Sequence, residues 1–153
     1  MTRVYLIVIA AGGSLALLLG AFGFQFLADL APCKLCLWQR YPHAAAVGIG
    51  ALALTLRFWL LPLFGAAAAA TSGGIGIYHT GVERNWWEGP TSCTSSSVEG
   101  LTPEALLQQI LEAPLVRCDE VPWEMFSLSM ASWNALLSFG LAALWLAALR
   151  IKT

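Results

Sequence analysis

Four long apolar runs divide this chain, at about residues 4–27, 37–56, 60–79 and 126–149. Each is close to the ~20 residues that a helix needs to cross ~30 Å of hydrocarbon. None contains an acidic residue. Helix is the expected form, because backbone groups in lipid must be satisfied within the segment and these runs lack the alternation of barrel strands. The pattern predicts an all-α membrane protein: one domain over residues 1–153, a bundle of four transmembrane helices. The connections are unequal. The first is short (28–36), the second is a tight hairpin after Arg57 with Pro62 just inside the next helix, and the third (81–125) is long and polar. Within the long stretch, Thr102 suits an N-cap, Pro103 the first helical position and Glu104 the helix dipole. Leu106, Leu107, Ile110 and Leu111 then share one face at helical spacing. A short amphipathic helix is therefore expected at 102–113, lying in the membrane interface or packing on the rest of the loop.

Composition sharpens this picture. The 153 residues are 58% hydrophobic and 11% charged, with a mean hydropathy of +0.70; soluble domains carry about 25% charged residues. The deficit points to a lipid-facing surface. A net charge of −1 and a pI near 6.1 give no footing for nucleic acid. Charge also suggests orientation. Arg3, Arg57, Arg150 and Lys152 fall at the chain ends and the tight hairpin, whereas all nine acidic residues, Asp29 to Glu124, fall on the other side. Lys34, Arg40, Arg84 and Arg117 lie with the acids, so the basic residues divide evenly and position decides: short loops carrying Arg without acid belong in the cytoplasm. Both termini are expected inside and the loops at about 28–36 and 81–125 outside. Arg3 before the first run also resembles a secretory signal, with Leu30-Ala31-Pro32-Cys33 as a cleavage box. The run is about twice the length of such a core, so a membrane span is expected instead.

The four cysteines all lie on the non-cytoplasmic side, which in bacteria is an oxidising compartment where disulfides persist. Cys93 and Cys118 suit a plain structural bridge, since closing a loop of that length stabilises by roughly 3 kcal/mol in the chain-entropy model. Cys33 and Cys36 do not, because bridging residues three apart constrains almost nothing. A C-x-x-C pair is more often redox-active or half of a metal site. Zinc would need further ligands, and His43 and His79 are the only histidines, one within the second run and one ending the third; no metal is expected. Haem attachment fails because Leu37 follows Cys36 where His is required. Cys36 lies near a helix N-terminus, whose partial positive charge favours thiolate. Arg40, at i+4, shares its face. That cation either favours the thiolate and polarises an electron-accepting oxygen bound nearby, or snorkels to the headgroups.

Pro32-Cys33-Lys34-Leu35-Cys36-Leu37-Trp38-Gln39-Arg40 resembles the first outer-loop motif of the bacterial DsbB disulfide-bond formation proteins. His79-Thr80-Gly81-Val82-Glu83, followed by Trp86, Gly89-Pro90 and Cys93, is similar to that family's approach to its third cysteine, and Cys118 occupies the place of the fourth. The resemblance covers the whole chain. It implies a quinone-dependent protein-dithiol:disulfide oxidoreductase of the bacterial inner membrane, catalytic at Cys33, Cys36, Cys93 and Cys118, with Cys36, Arg40 and His79 at the quinone. It further implies a reduced periplasmic DsbA-like partner attacking Cys93 of a Cys93–Cys118 disulfide, and Cys118 then attacking Cys33. Ubiquinone is expected ahead of menaquinone, and the protein is expected to work as a monomer among membrane lipids. The competing readings are a membrane scaffold with structural disulfides, an outward electron conductor, which needs cysteines reachable from the cytoplasm, and a related quinone-linked thiol protein. From loop composition, the polar Thr94–Ser97 stretch is expected to leave Cys93 more accessible than Cys118, which Pro122-Trp123 holds near the membrane.

Overall fold

The computed structural model describes residues 2–56, 58–94, 102–112 and 116–151. Four long helices dominate: α1 (Arg3–Phe26), α2 (Lys34–Leu56), α3 (Leu61–Glu83) and α5 (Met130–Arg150), with the short α4 (Pro103–Glu112) between the last two. They form a ring in which α1 packs on α2 and α5, and α3 packs on α2 and α5. Helices α1, α3 and α5 are each long and apolar enough to cross a membrane. Helix α2 matches them in length at 23 residues, but Lys34, Gln39, Arg40 and His43 make its first half polar.

At the end distant from the cysteines, small residues let the helices approach closely. Ala10, Ala53, Ala66, Ala69, Ala142 and Ala148 surround the fully buried Trp145. Gly65 of α3 lies flat against that indole; a Cβ there would come within 2.6 Å of ring carbons. The tight connection before α3 is held from α1, where Arg3 donates to the carbonyls of Phe58 and Trp59 at 3.3 and 3.2 Å.

Two boundaries differ from the sequence expectation for a common reason, local polar capping. Helix α3 runs on through His79 to Glu83. It closes with Asn85 in the left-handed region (φ 56°), Trp86 N–H on Gly81 O and Asn85 N–H on Val82 O. This is a Schellman closure with Asn in place of Gly. The last helix begins at Met130 rather than near 126, because Ser129 caps it by accepting from Ser132 N–H. The residues expected to open that span form a two-stranded ribbon, β1 (Glu124–Met125) against β2 (Leu128–Ser129), so the chain is not purely α-helical. Phe126 and Ser127, at φ 53° and 60°, make the turn, the two-positive-φ geometry that right-twisted hairpins favour. Helix α2 begins at Lys34, three residues ahead of the expected span. In α4, Leu107 and Leu111 are exposed; the side chains of Leu106 and Ile110 lie outside the described residues, as do Arg57, Lys152 and residues 95–97.

Candidate functional site

The two cysteine pairs meet where α2 begins. Cys33, Cys93 and Cys118 are buried in one cluster with Leu35 and Val82, and Cys36 and Val116 pack against it. Cys93 and Cys118 form a disulfide, and Cys118 N–H donates to Cys93 O at 2.6 Å. Their exposures are 1% and 0%, so the expected contrast in access is absent. Both sulfurs are covered because the segment carrying Cys93 folds back onto the mouth of α2, where Lys34 donates to Ser92 Oγ at 2.9 Å. Arg117 is paired with Asp119 at 2.7 Å and Glu120 at 3.2 Å.

Cys33 and Cys36 are free thiols with sulfurs 2.7 Å apart. Cys33 sits just ahead of α2, and its sulfur accepts Cys36 N–H at 3.2 Å, as an N-cap side chain does. The hydrogen bond with the Cys36 sulfur, then burial, push the Cys33 thiol far above the ordinary range, outweighing the backbone N–H groups that favour its charge. A single negative charge in the pair therefore rests on Cys36, the half-buried member.

Around the pair runs a chain of polar side chains drawn from three helices. His79 Nε2 is 3.6 Å from Cys33 Sγ and 3.8 Å from Glu83 Oε1. Gln39 donates through Nε2 to Leu35 O at 3.1 Å and to His79 Nδ1 at 3.0 Å. That leaves the proton of a neutral His79 on Nε2, facing Cys33 and Glu83. Asn134 Nδ2 donates to Gln39 Oε1 at 2.8 Å and Ser72 Oγ at 3.1 Å, while its Oδ1 lies 3.0 Å from His43 Nε2. Gly81, two residues beyond His79, is needed for packing: a Cβ would collide with the Trp87 ring, whose Nε1 donates to Tyr78 O at 2.8 Å.

A cavity of about 280 Å³ opens beside these groups, lined by Cys33, Cys36, Arg40, His43, His79, Glu83 and Asn134 and by Leu17, Ala21 and Phe24 of α1. Small-molecule sites begin near ~300 Å³. Arg40 is held by α1. It donates to Gln25 Oε1 at 2.6 Å and Ala21 O at 3.2 Å of α1, with its guanidinium over the Phe22 ring. His43 is 2% exposed, and its Nδ1 has no partner among the described residues.

All six residues expected at the site are thus in one neighbourhood. Residues at the site that were assigned no role from the sequence are Gln39, His43, Glu83 and Asn134. Their signal was their chemistry: polar side chains inside helices that are otherwise apolar are expensive there and face the interior. Gln39 and His43 also continue the face of Cys36 and Arg40.

This architecture defines a class: a helical membrane protein that buries two cysteine pairs together at one end of its bundle, against a polar-walled cavity. The family model for disulfide bond formation protein DsbB matches residues 3–148, and the chain belongs to that family. It is similar to disulfide bond formation protein B of Shewanella frigidimarina, 31% identical over 145 residues covering 87% of this chain and 82% of the relative. The corresponding protein of Dechloromonas aromatica is 28% identical over 143 residues, covering 86% and 82%. An uncharacterized protein of Rickettsia prowazekii is 25% identical over 125 residues, covering 77% and 71%. No solved structure matches the chain. Family and apolar helices together make this an integral inner-membrane oxidoreductase of disulfide formation.

Proposed function

We propose that this protein reoxidises a periplasmic DsbA-like thiol oxidase and delivers the electrons to a membrane quinone. The observation that carries the reading is the single buried cluster joining Cys93–Cys118 to Cys33 and Cys36, with Cys36 on the wall of a cavity that Arg40 also lines. Helix α2 serves as the fourth span, since Lys34, Gln39, Arg40 and His43 are confined to the cysteine end, residues 44–56 carry no charge, and Thr55 bonds its own helix carbonyls. Both termini are cytoplasmic, and a reporter fused after Thr153 is expected to stay inside; its translocation would refute that topology.

The exchange runs by thiolate attack and sulfur leaving groups. A thiolate of the reduced partner attacks Cys93, forming a mixed disulfide and releasing Cys118 as thiolate. The partner's second thiol then closes its own disulfide. For the electrons to stay with this chain, Cys33 and Cys36, free thiols here, must first be joined in a disulfide at the expense of a quinone. Cys118 then attacks Cys33 of that disulfide, the Cys33–Cys36 bond breaks, and Cys36 leaves as thiolate. Cys36, as the leaving sulfur, is then the one that holds the electrons, on the wall of the cavity. Arg40 is fixed beside the cavity as a permanent cation, and His79, with its proton on Nε2, is a donor at the same wall.

The cavity fits a quinone ring. It has a cationic donor in Arg40, a buried His43 Nδ1 needing a partner, and an apolar wall from α1. A bound quinone supplies a two-electron, two-proton acceptor, and ubiquinone is expected ahead of menaquinone. The test is quinone reduction by the purified protein in detergent with a reduced DsbA-like donor. Donor-dependent reduction supports the reading, and a protein that neither reduces quinone nor exchanges with the donor is the scaffold instead. A donor lacking its resolving cysteine is expected to be trapped on Cys93. Since Cys93 and Cys118 are equally buried, that order requires the segment over Cys93 to yield first, and peptide mapping showing Cys118 would reverse it.

A further inference from the structure

Cys33, Cys36 and His79 present two sulfurs and one imidazole nitrogen, all within 4.8 Å of one another. This is the donor set that selects thiophilic d¹⁰ cations over hard ones. We propose that, whenever the pair is in its dithiol state, these three residues form a binding site for such a cation, Zn²⁺ being the representative, and that capture of the ion holds the pair reduced. The proposal rests on the redox reading only in requiring that the pair visit the dithiol state.

The spacing supports it. Tetrahedral zinc with Zn–S about 2.3 Å and Zn–N about 2.0 Å sets sulfur and nitrogen about 3.5 Å apart, and Cys33 Sγ lies 3.6 Å from His79 Nε2. The two sulfurs, now 2.7 Å apart, would have to part to about 3.8 Å around the same ion. Cys36 is the less buried of the two and opens the first turn of α2, where such a movement is easiest. Glu83 Oε1 lies 3.8 Å from His79 Nε2 but outside the group of three mutually close donors, so it adds negative charge beside the site rather than a ligand. Two thiolates and this carboxylate carry more negative charge than Arg40 offsets across the cavity. Metal at Nε2 moves the imidazole proton to Nδ1. Gln39 already faces that atom at 3.0 Å and meets the proton by turning its amide so that Oε1 accepts, the kind of partner that metal-bound histidines usually have; this gives up its bond to Leu35 O and requires the Asn134 amide to turn with it. The cavity that reaches Cys36, His79 and Glu83 is the route of entry.

The reaction changes no oxidation state. Zn²⁺ replaces the protons of the thiols, which leave to solvent, and a Cys33–Cys36 disulfide offers no thiolate to bind. Metal capture therefore competes with reoxidation, and the site doubles as a metal-sensitive brake on electron flow.

The experiment uses the full chain in detergent carrying Cys93→Ser and Cys118→Ser, so that reduction exposes one thiol pair only. Zn²⁺ affinity is measured by competition with a chromophoric chelator. One ion per chain is expected after reduction by a phosphine, and none after oxidation to the disulfide. Affinity is expected to fall by at least about tenfold in Cys36→Ser and in His79→Ala, with His79→Gln as the substitute should the alanine variant misfold. Equal binding by the oxidised form, absence of stoichiometric binding, or unchanged affinity in the His79 variants would each overturn the site. Donor-driven quinone reduction by the wild type is run alongside. If turnover proceeds and zinc is not held, the metal site fails alone; if zinc is held without turnover, the site stands and the functional reading fails.

Discussion

The same four helices are packed in two different ways along their length. At the Trp145 end, alanines and glycines bring backbones together around one large aromatic ring. At the cysteine end, Gln39, His43, His79, Glu83 and Asn134 stand between helices and leave a cavity beside them. Apolar surface gains nothing by leaving lipid for another apolar surface, so the first arrangement depends on close van der Waals contact. The second depends on hydrogen bonds between the helices, since an unpaired polar group inside a membrane costs several kcal/mol, and His43 Nδ1 is the group at this end left without a partner among the described residues. One end is thus tight and chemically inert. The other is open and reactive, and its rigidity comes from amides that tie α2, α3 and α5 together.

The contrast is broken most severely at Cys36. Cys36→Ala removes the sulfur on which the pair's charge rests, and donor-dependent quinone reduction is expected to fall by more than about 10³-fold, while the Cys93–Cys118 bridge still exchanges with the donor. Persistence of turnover would mean that electrons leave by another sulfur. Next in size is Arg40→Ala. Loss of a charged hydrogen-bonding partner predicts a KM for quinone raised about 10- to 100-fold, with partial rescue by Lys, which keeps the charge but not the planar fork. Steady-state kinetics at saturating donor check this, and an unchanged KM would reduce Arg40 to a clamp on α1. The smallest effect on activity belongs to the inert end. Gly65→Ala drives a methyl into Trp145, and overpacking of this kind costs about 1–3 kcal/mol. Unfolding in mixed micelles should record that loss while quinone KM stays within about twofold; a large kinetic change would mean that the two ends are mechanically coupled. A finer probe is alkylation of the reduced pair. With Cys33 pushed up by its neighbour and by burial, a thiol reagent at pH ~8, near the ordinary cysteine range, should label Cys36 first, as peptide mass spectrometry would report.

Hydropathy made most of the inert end legible, because runs of small apolar residues read the same way whether they face lipid or one another. The cysteines, Arg40 and His79 were legible as chemistry, through a spacing that few other arguments explain. What stayed hidden was produced by pairing across the bundle. Asn134 in α5 looks like an isolated polar residue until Gln39 and His43 are placed opposite it. The depth of Cys93 could not be read from the serines that follow it, since the contact that covers it starts at Lys34, 58 positions away from Ser92. The late start of α5 escaped for a local reason: Phe126 has the composition of a span but sits in a turn, where two consecutive residues adopt positive φ.

Arg40 carries a consequence in side-chain entropy. A free arginine surrenders up to about 2 kcal/mol of rotamer freedom when it is immobilised. Here Gln25 and the Ala21 carbonyl have already taken that freedom away, and they occupy only two of the five N–H donors. The remaining donors stay aimed from a fixed plane, so an incoming oxygen meets a guanidinium that has no conformational search left to make. Helix α1, which contributes no cysteine and no titrating group to the site, thereby sets how readily the site accepts its ligand.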